Sequence, residues 1–125
     1  MKIRSHSLDR VIELEPGRFI TALKFLSYNE PIFNEHFPER EVYPGSMVLQ
    51  SIFSALKVAF QYEEAMDVLM EWELKLINFK KMCEPGDLLK IELKRIEDAD
   101  KISFIVSEYF GRNLLCNGQF VQRKD

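Results

Sequence analysis

The sequence predicts an α+β domain in which one strongly bent antiparallel sheet wraps a single long central helix. Three observations lead there. Met47, Val48, Leu49, Ile52, Phe53, Ala55, Leu56, Val58, Ala59 and Phe60 surround most of a helical wheel, and a helix apolar nearly all round is a buried one. Strand-like runs stand on both sides of it, two before and three or four after. The 125 residues are 46% hydrophobic and include ten Phe, so residues 1–125 are expected to form one domain around one core. A lone apolar helix buries all its faces only where the sheet curves around it. Whatever one subunit leaves uncovered favours a homo-oligomer.

Taken in order, residues 1–10 are polar apart from Ile3 and Leu8, and His6 reads as a solvated terminal residue. Residues 11–15 alternate loosely. Pro16-Gly17 then turns the chain into a β-branched and aromatic run over 18–26, which makes a strand pair. Asn29-Glu30-Pro31 breaks the second strand, and a short aromatic segment over 32–37 stops at Pro38. From Pro44 the period becomes helical. Pro44 and Gly45 supply the start signal, with Ser46 an alternative cap, and the helix is expected over 44–61. Its polar members, Gln50, Ser54, Lys57 and Gln61, fall on one narrow stripe. Residues 62–67 are charged and read as a surface exit. No further helix is expected. Runs over 69–82, 88–96, 101–110 and 113–123 read as strands, separated by Glu84-Pro85-Gly86-Asp87, an acidic turn at 97–100, and Gly111-Arg112.

A net charge of −3 and a pI near 5.5 argue against a general nucleic-acid binder. Cys83 and Cys116 are too few and too unpatterned for a disulfide framework and contain no C-x-x-C, so they read as reduced core thiols of a cytoplasmic protein. The first residues lack the apolar run of a signal peptide, and the stretch 47–60 is too short and too polar to span a bilayer. Metal-ligand spacing, a phosphate loop and a dinucleotide fingerprint are all missing, so no metal and no cofactor are expected.

The chemistry concentrates in residues 34–50. His36, one of two histidines, lies between proline breaks just ahead of Pro44-Gly45 and the helix start. An imidazole that titrates near neutrality, close to the positive end of a helix, suits proton transfer beside a carbonyl. Backbone N–H groups at Gly45 and Ser46 are placed to hold a developing oxyanion, and a residue as small as Gly45 allows close approach. The competing reading of His36 is a buried, hydrogen-bonded turn residue. For Gln50, in the first turns of the helix, it is a polar group satisfied at a subunit interface.

Asn29-Glu-Pro-Ile-Phe-Asn-Glu-His-Phe-Pro38, then Tyr43-Pro44-Gly45 and the helix, flanked by Glu13-Leu-Glu-Pro-Gly17 and by Glu84-Pro-Gly-Asp87 with Phe79 before it, resembles the β-hydroxyacyl-acyl-carrier-protein dehydratases of the hotdog fold. The likeness covers about residues 10–123. It implies a dimer, or a higher assembly such as a hexamer, whose sheets join and whose two sites lie between subunits. There the histidine of one subunit, His36, works with an acid on the partner's central helix, and Phe37 and Phe79 contact substrate. The family's acid falls on Gln50, and Glu35 stands where the family usually has Gly. Three functions stay open on this reading: a dehydratase relying on His36, with Gln50 orienting the hydroxyl or a water; an acyl thioesterase; and a non-catalytic acyl-thioester binder or inactive subunit of a hetero-oligomer. The implied partners are an acyl-carrier-protein or coenzyme A thioester and the acidic carrier protein itself, with Lys80, Lys81 or Arg40 as candidate contacts.

Overall fold

The computed structural model describes residues 8–26, 45–96 and 100–123. His6, Glu35, His36, Phe37, Arg40, Tyr43 and Pro44 lie outside them. The elements are β1 (Arg10–Glu15), β2 (Phe19–Phe25), α1 (Gly45–Ala59), α2 (Ala65–Glu71), β3 (Trp72–Phe79), β4 (Leu88–Ile96), β5 (Lys101–Glu108) and β6 (Leu114–Gln122). Among the described residues all strands join one six-stranded sheet in the order β1-β2-β4-β5-β6-β3, and every pairing is antiparallel. The edges among the described strands are therefore β1 and β3.

Strand alternation sorts side chains onto the two faces of the sheet. Ile20 and Ala22 of β2 stand opposite Leu93 and Ile91 of β4, which stand opposite Phe104 and Val106 of β5, and all six are buried. Phe120 of β6 extends that face, with ring centroids 5.3 Å from Phe104 and 5.7 Å from Phe53 of α1. Against it α1 presents Val48, Ile52, Ala55, Leu56 and Ala59, each at most 1% exposed. Full burial of an Ile or Leu contributes about 1.5–3 kcal/mol, so this face holds the helix in place.

Gly17, at φ +77°, occupies the left-handed region that glycine enters without strain. Its N–H donates to the Ala59 carbonyl over 2.8 Å, tying the β1–β2 turn to the carboxyl end of α1. The helix stops at Ala59, with Gln61 beyond it at φ +60°.

Two expectations need correction. The helix is not buried all round in this chain: Val58 is 40% exposed and Gln50 is exposed. Its apolar positions outnumber those the sheet covers, and the stripe of Gln50, Ser54, Lys57 and Gln61 is half-exposed to exposed as its polarity requires.

The second correction is α2, where only an exit segment and a strand were expected. The Glu64 N–H donates to the Asp67 carboxylate over 3.2 Å, one limb of a capping box, and Val68 is fully buried. Around it, the Tyr62 hydroxyl donates to Glu71 over 2.7 Å and accepts from the Trp72 indole N–H over 2.9 Å, while Arg95 lies 5.5 Å from the Trp72 ring. Burial and the Glu71 carboxylate push the Tyr62 phenol up to about 12. These contacts fix the turn from α1 into the edge strand β3.

Candidate active site

The polarity of α1 follows from its far end. Ala59 meets the β1–β2 turn, and Phe60 packs on Trp72 at 6.0 Å, so the start of β3 lies beside the carboxyl end of the helix. A 15-residue helix runs about 22 Å, and an eight-residue strand about 26 Å. Gly45 and Ser46, which open α1, and Phe79, which closes β3, therefore lie toward the opposite end of the sheet.

That end is also where β2 stops. Leu26 donates its N–H to the Asp87 carbonyl over 2.9 Å and accepts from Gly86 N–H over 2.6 Å. The described chain stops at Leu26, just past β2, and resumes at Gly45 with α1; residues 27–44, His36 among them, join these two points in sequence.

Gln50 is exposed on α1. Phe79 is 50% exposed on the edge strand, opposite Cys116 of β6, and Leu76 on the same edge is 47% exposed. The first turn of α1 contains no acidic residue of its own to offset the positive field of its amino end.

Charge beside Phe79 is partly committed. Lys81 is 3.1 Å from Glu108, whose other oxygen accepts from Asn113 over 2.8 Å. Lys81 and Asn113 hold the Glu108 carboxyl below its ordinary range, and Glu108 in turn raises Lys81. Of the two lysines expected to meet a carrier protein, Lys81 thus already carries an intramolecular partner.

Cys83 and Cys116 are buried, and burial pushes their thiols up to about 12 and about 11. Both stay protonated at neutral pH and act as core residues. In the unfolded chain they ionise near 9.0. Between that value and about 11 the folded state binds more protons than the unfolded state, so stability falls as pH rises. Denaturation at about pH 8 and about pH 10.5 is expected to show a loss of about 1–2 kcal/mol per thiol, and Cys83→Ala should flatten that dependence. Among the described residues no helix is long and apolar enough to cross a membrane, and no His, Cys, Asp and Glu cluster could hold a metal ion.

A six-stranded antiparallel sheet packed on one long helix defines a protein of the hotdog class. The family model of the ApeI-like dehydratases matches residues 13–119, and the chain belongs to that family. It is 37% identical over 91 residues to the 3-hydroxyacyl-acyl-carrier-protein dehydratase FabZ of Symbiobacterium thermophilum, covering 71% of this chain and 64% of that one. To FabZ of Variovorax paradoxus it is 34% identical over 115 residues, covering 86% and 73%. The ApeI:P dehydratase heterocomplex of Xenorhabdus doucetiae contains a chain that superposes with a TM-score of 0.68 at 14% identity, over 91% of this chain and 96% of that one.

Proposed function

We propose that this protein is a 3-hydroxyacyl-thioester dehydratase of fatty acid biosynthesis. The observation that carries the reading is the shared end of the sheet. There β2 stops and α1 begins, and the residues that join the two in sequence, 27–44, include His36.

On this reading neutral His36 removes a proton from the carbon alpha to the thioester carbonyl. The carbonyl oxygen gains charge, held by the N–H groups of Gly45 and Ser46 at the helix start. The electron pair left by the C–H bond becomes the new carbon–carbon double bond as the bond to the 3-hydroxyl breaks. The hydroxyl takes up a proton from a solvent water and leaves as water, and the imidazolium returns its proton to solvent, so the proton count closes. Gln50 orients the leaving hydroxyl or a water but has no titratable proton to give.

Two chains join along the open edge of β3, bringing Gln50 and Phe79 to the seam between subunits and Phe37 against the acyl chain. The substrate is an acyl-carrier-protein thioester, or the coenzyme A thioester of the same acyl group. Lys80 and Arg40 meet the acidic carrier.

A product assay separates this from thioester hydrolysis. A 3-hydroxyacyl thioester should yield enoyl product, slowly but above a His36→Ala control, and a saturated acyl thioester should release no thiol. Thiol release without enoyl formation would establish the thioesterase instead.

A further inference from the structure

A cleft opens on the outward face of the sheet. Leu89, Ile91 and Val106 point toward α1 and are buried, so Lys90 and Ser107, which pair across β4 and β5, point the other way. With Glu108, Tyr109, Phe110 and Arg112 of the β5–β6 turn they line an open cleft of about 640 Å³, the size of a small-molecule site. It lies at the end of the sheet where β2 stops. The Tyr109 N–H donates to the Leu88 carbonyl over 2.8 Å, and Leu88 pairs with Phe25, the last residue of β2.

The lining joins an open aromatic ring to two cations. Phe110 is 82% exposed, and Tyr109 meets it edge-to-face with centroids 5.0 Å apart, which leaves at least one face of the Phe110 ring open. Lys90 is 3.7 Å from Glu92, but both side chains are more than a third exposed, a pair too weak to compete with a multiply charged anion. Arg112 is exposed on the turn, its N–H donating to the Glu108 carbonyl over 2.9 Å. Glu108 is the one acid in the lining, and its carboxylate is held by Lys81 at 3.1 Å and Asn113 at 2.8 Å, so its charge is already offset. A guanidinium and an ammonium beside a serine hydroxyl suit phosphate, and an open aromatic face suits a purine.

We infer that this cleft takes the 3′-phospho-ADP end of coenzyme A, with the adenine stacked on Phe110 and the phosphates against Arg112, Lys90 and Ser107. Coenzyme A thioesters are then substrates in their own right, held by their nucleotide on the outward face while the acyl arm rounds the end of the sheet toward the start of α1. The role as substrate rests on the proposed dehydration; the nucleotide site rests on the cleft alone. A carrier-protein thioester brings a phosphate but no purine, so the contact with Phe110 separates the two sources.

Adenosine 3′,5′-diphosphate, the nucleotide end without the acyl arm, tests the cleft by calorimetry and needs no turnover. It should bind the wild-type protein with an affinity that falls as salt rises. Phe110→Ala and Arg112→Asn should each weaken it about tenfold. Both residues are exposed, and asparagine tolerates the φ of +60° at Arg112, so an unchanged melting temperature is expected of both variants. A second measure needs no variant: the wild-type kcat/KM for a 3-hydroxyacyl-coenzyme A should exceed that for the same acyl group on pantetheine about tenfold. Phe110→Ala should remove most of that preference.

No binding of the nucleotide to the wild-type protein, or equal kcat/KM for the two thioesters, overturns the inference while leaving dehydration intact. Loss of turnover confined to the carrier-protein thioester in both variants, with nucleotide binding unchanged, also overturns it and makes this face a surface for the carrier. If the nucleotide binds and both variants weaken it, yet neither thioester is dehydrated, the nucleotide site stands and the dehydration reading falls.

Discussion

Gln50→Glu is expected to raise enoyl formation about tenfold or more. A positioned general acid contributes about 10²–10⁴-fold, and a site whose surroundings are not shaped for a carboxylate should recover only part of that. Two opposing effects set the protonation of the new group. The amino end of α1, with no acid in its first turn, favours the charged form. Burial beneath the proposed second subunit would favour the protonated form the reaction needs. Glutamine and glutamate have nearly the same shape, and Gln50 is exposed in the chain, so the fold should not notice the change. The assay is enoyl absorbance from a 3-hydroxyacyl thioester, with His36→Ala added to the same background as control. Gain in the single variant and its loss in the double variant assigns acid and base separately. A wild-type protein that is already fast would place the acid elsewhere.

Most of the fold was legible because its signals are local and repeated. The alternation of Leu88 to Ile96 returned as β4 with the expected bounds, and Pro16-Gly17 marked the β1–β2 turn that a positive φ at Gly17 completes. The short helix α2 was not legible. Seven residues are less than two turns, too few for a period to declare itself, and the charges at Glu63, Glu64 and Asp67 read as surface. What selects the helix there is the Glu64–Asp67 cap together with the burial of Val68, a contact that depends on the rest of the fold.

How much of α1 one subunit leaves uncovered was not legible, for a related reason. A helical wheel reports which positions are apolar, and not how many of them a sheet of one subunit covers. Among the candidate site residues, Gly45, Ser46 and Gln50 fall on α1 and Phe79 on the edge strand, while His36 and Phe37 lie outside the described residues. That Lys81 is occupied by Glu108 had no signal in sequence, since 27 residues separate the two.

Gly118→Ala is expected to cost about 3 kcal/mol or more, lowering the melting temperature by about 10 °C or more. A glycine inside a strand marks a place where another chain segment comes too close for a side chain, and that is what surrounds Gly118. It sits on β6 opposite Ile77 of β3 and Phe104 of β5. A Cβ built there would overlap the Leu76 carbonyl oxygen and stand 2.5 Å from the tip of the Phe104 ring and 3.0 Å from the Ile77 Cα. Phe104 is 1% exposed and packed at a tilt against Phe120, so the ring has nowhere to go. The Leu76 carbonyl belongs to backbone just past the irregular register between Leu74 and Leu76, so relief requires β3 itself to move. Since β3 carries Phe79 and forms the edge proposed to meet a second subunit, the damage should reach assembly before it reaches the helix. Thermal unfolding followed by circular dichroism, with size-exclusion chromatography at the same concentration, checks both effects. An unchanged melting temperature with an intact dimer would mean that the approach of β3 over Gly118 is looser than the structure shows.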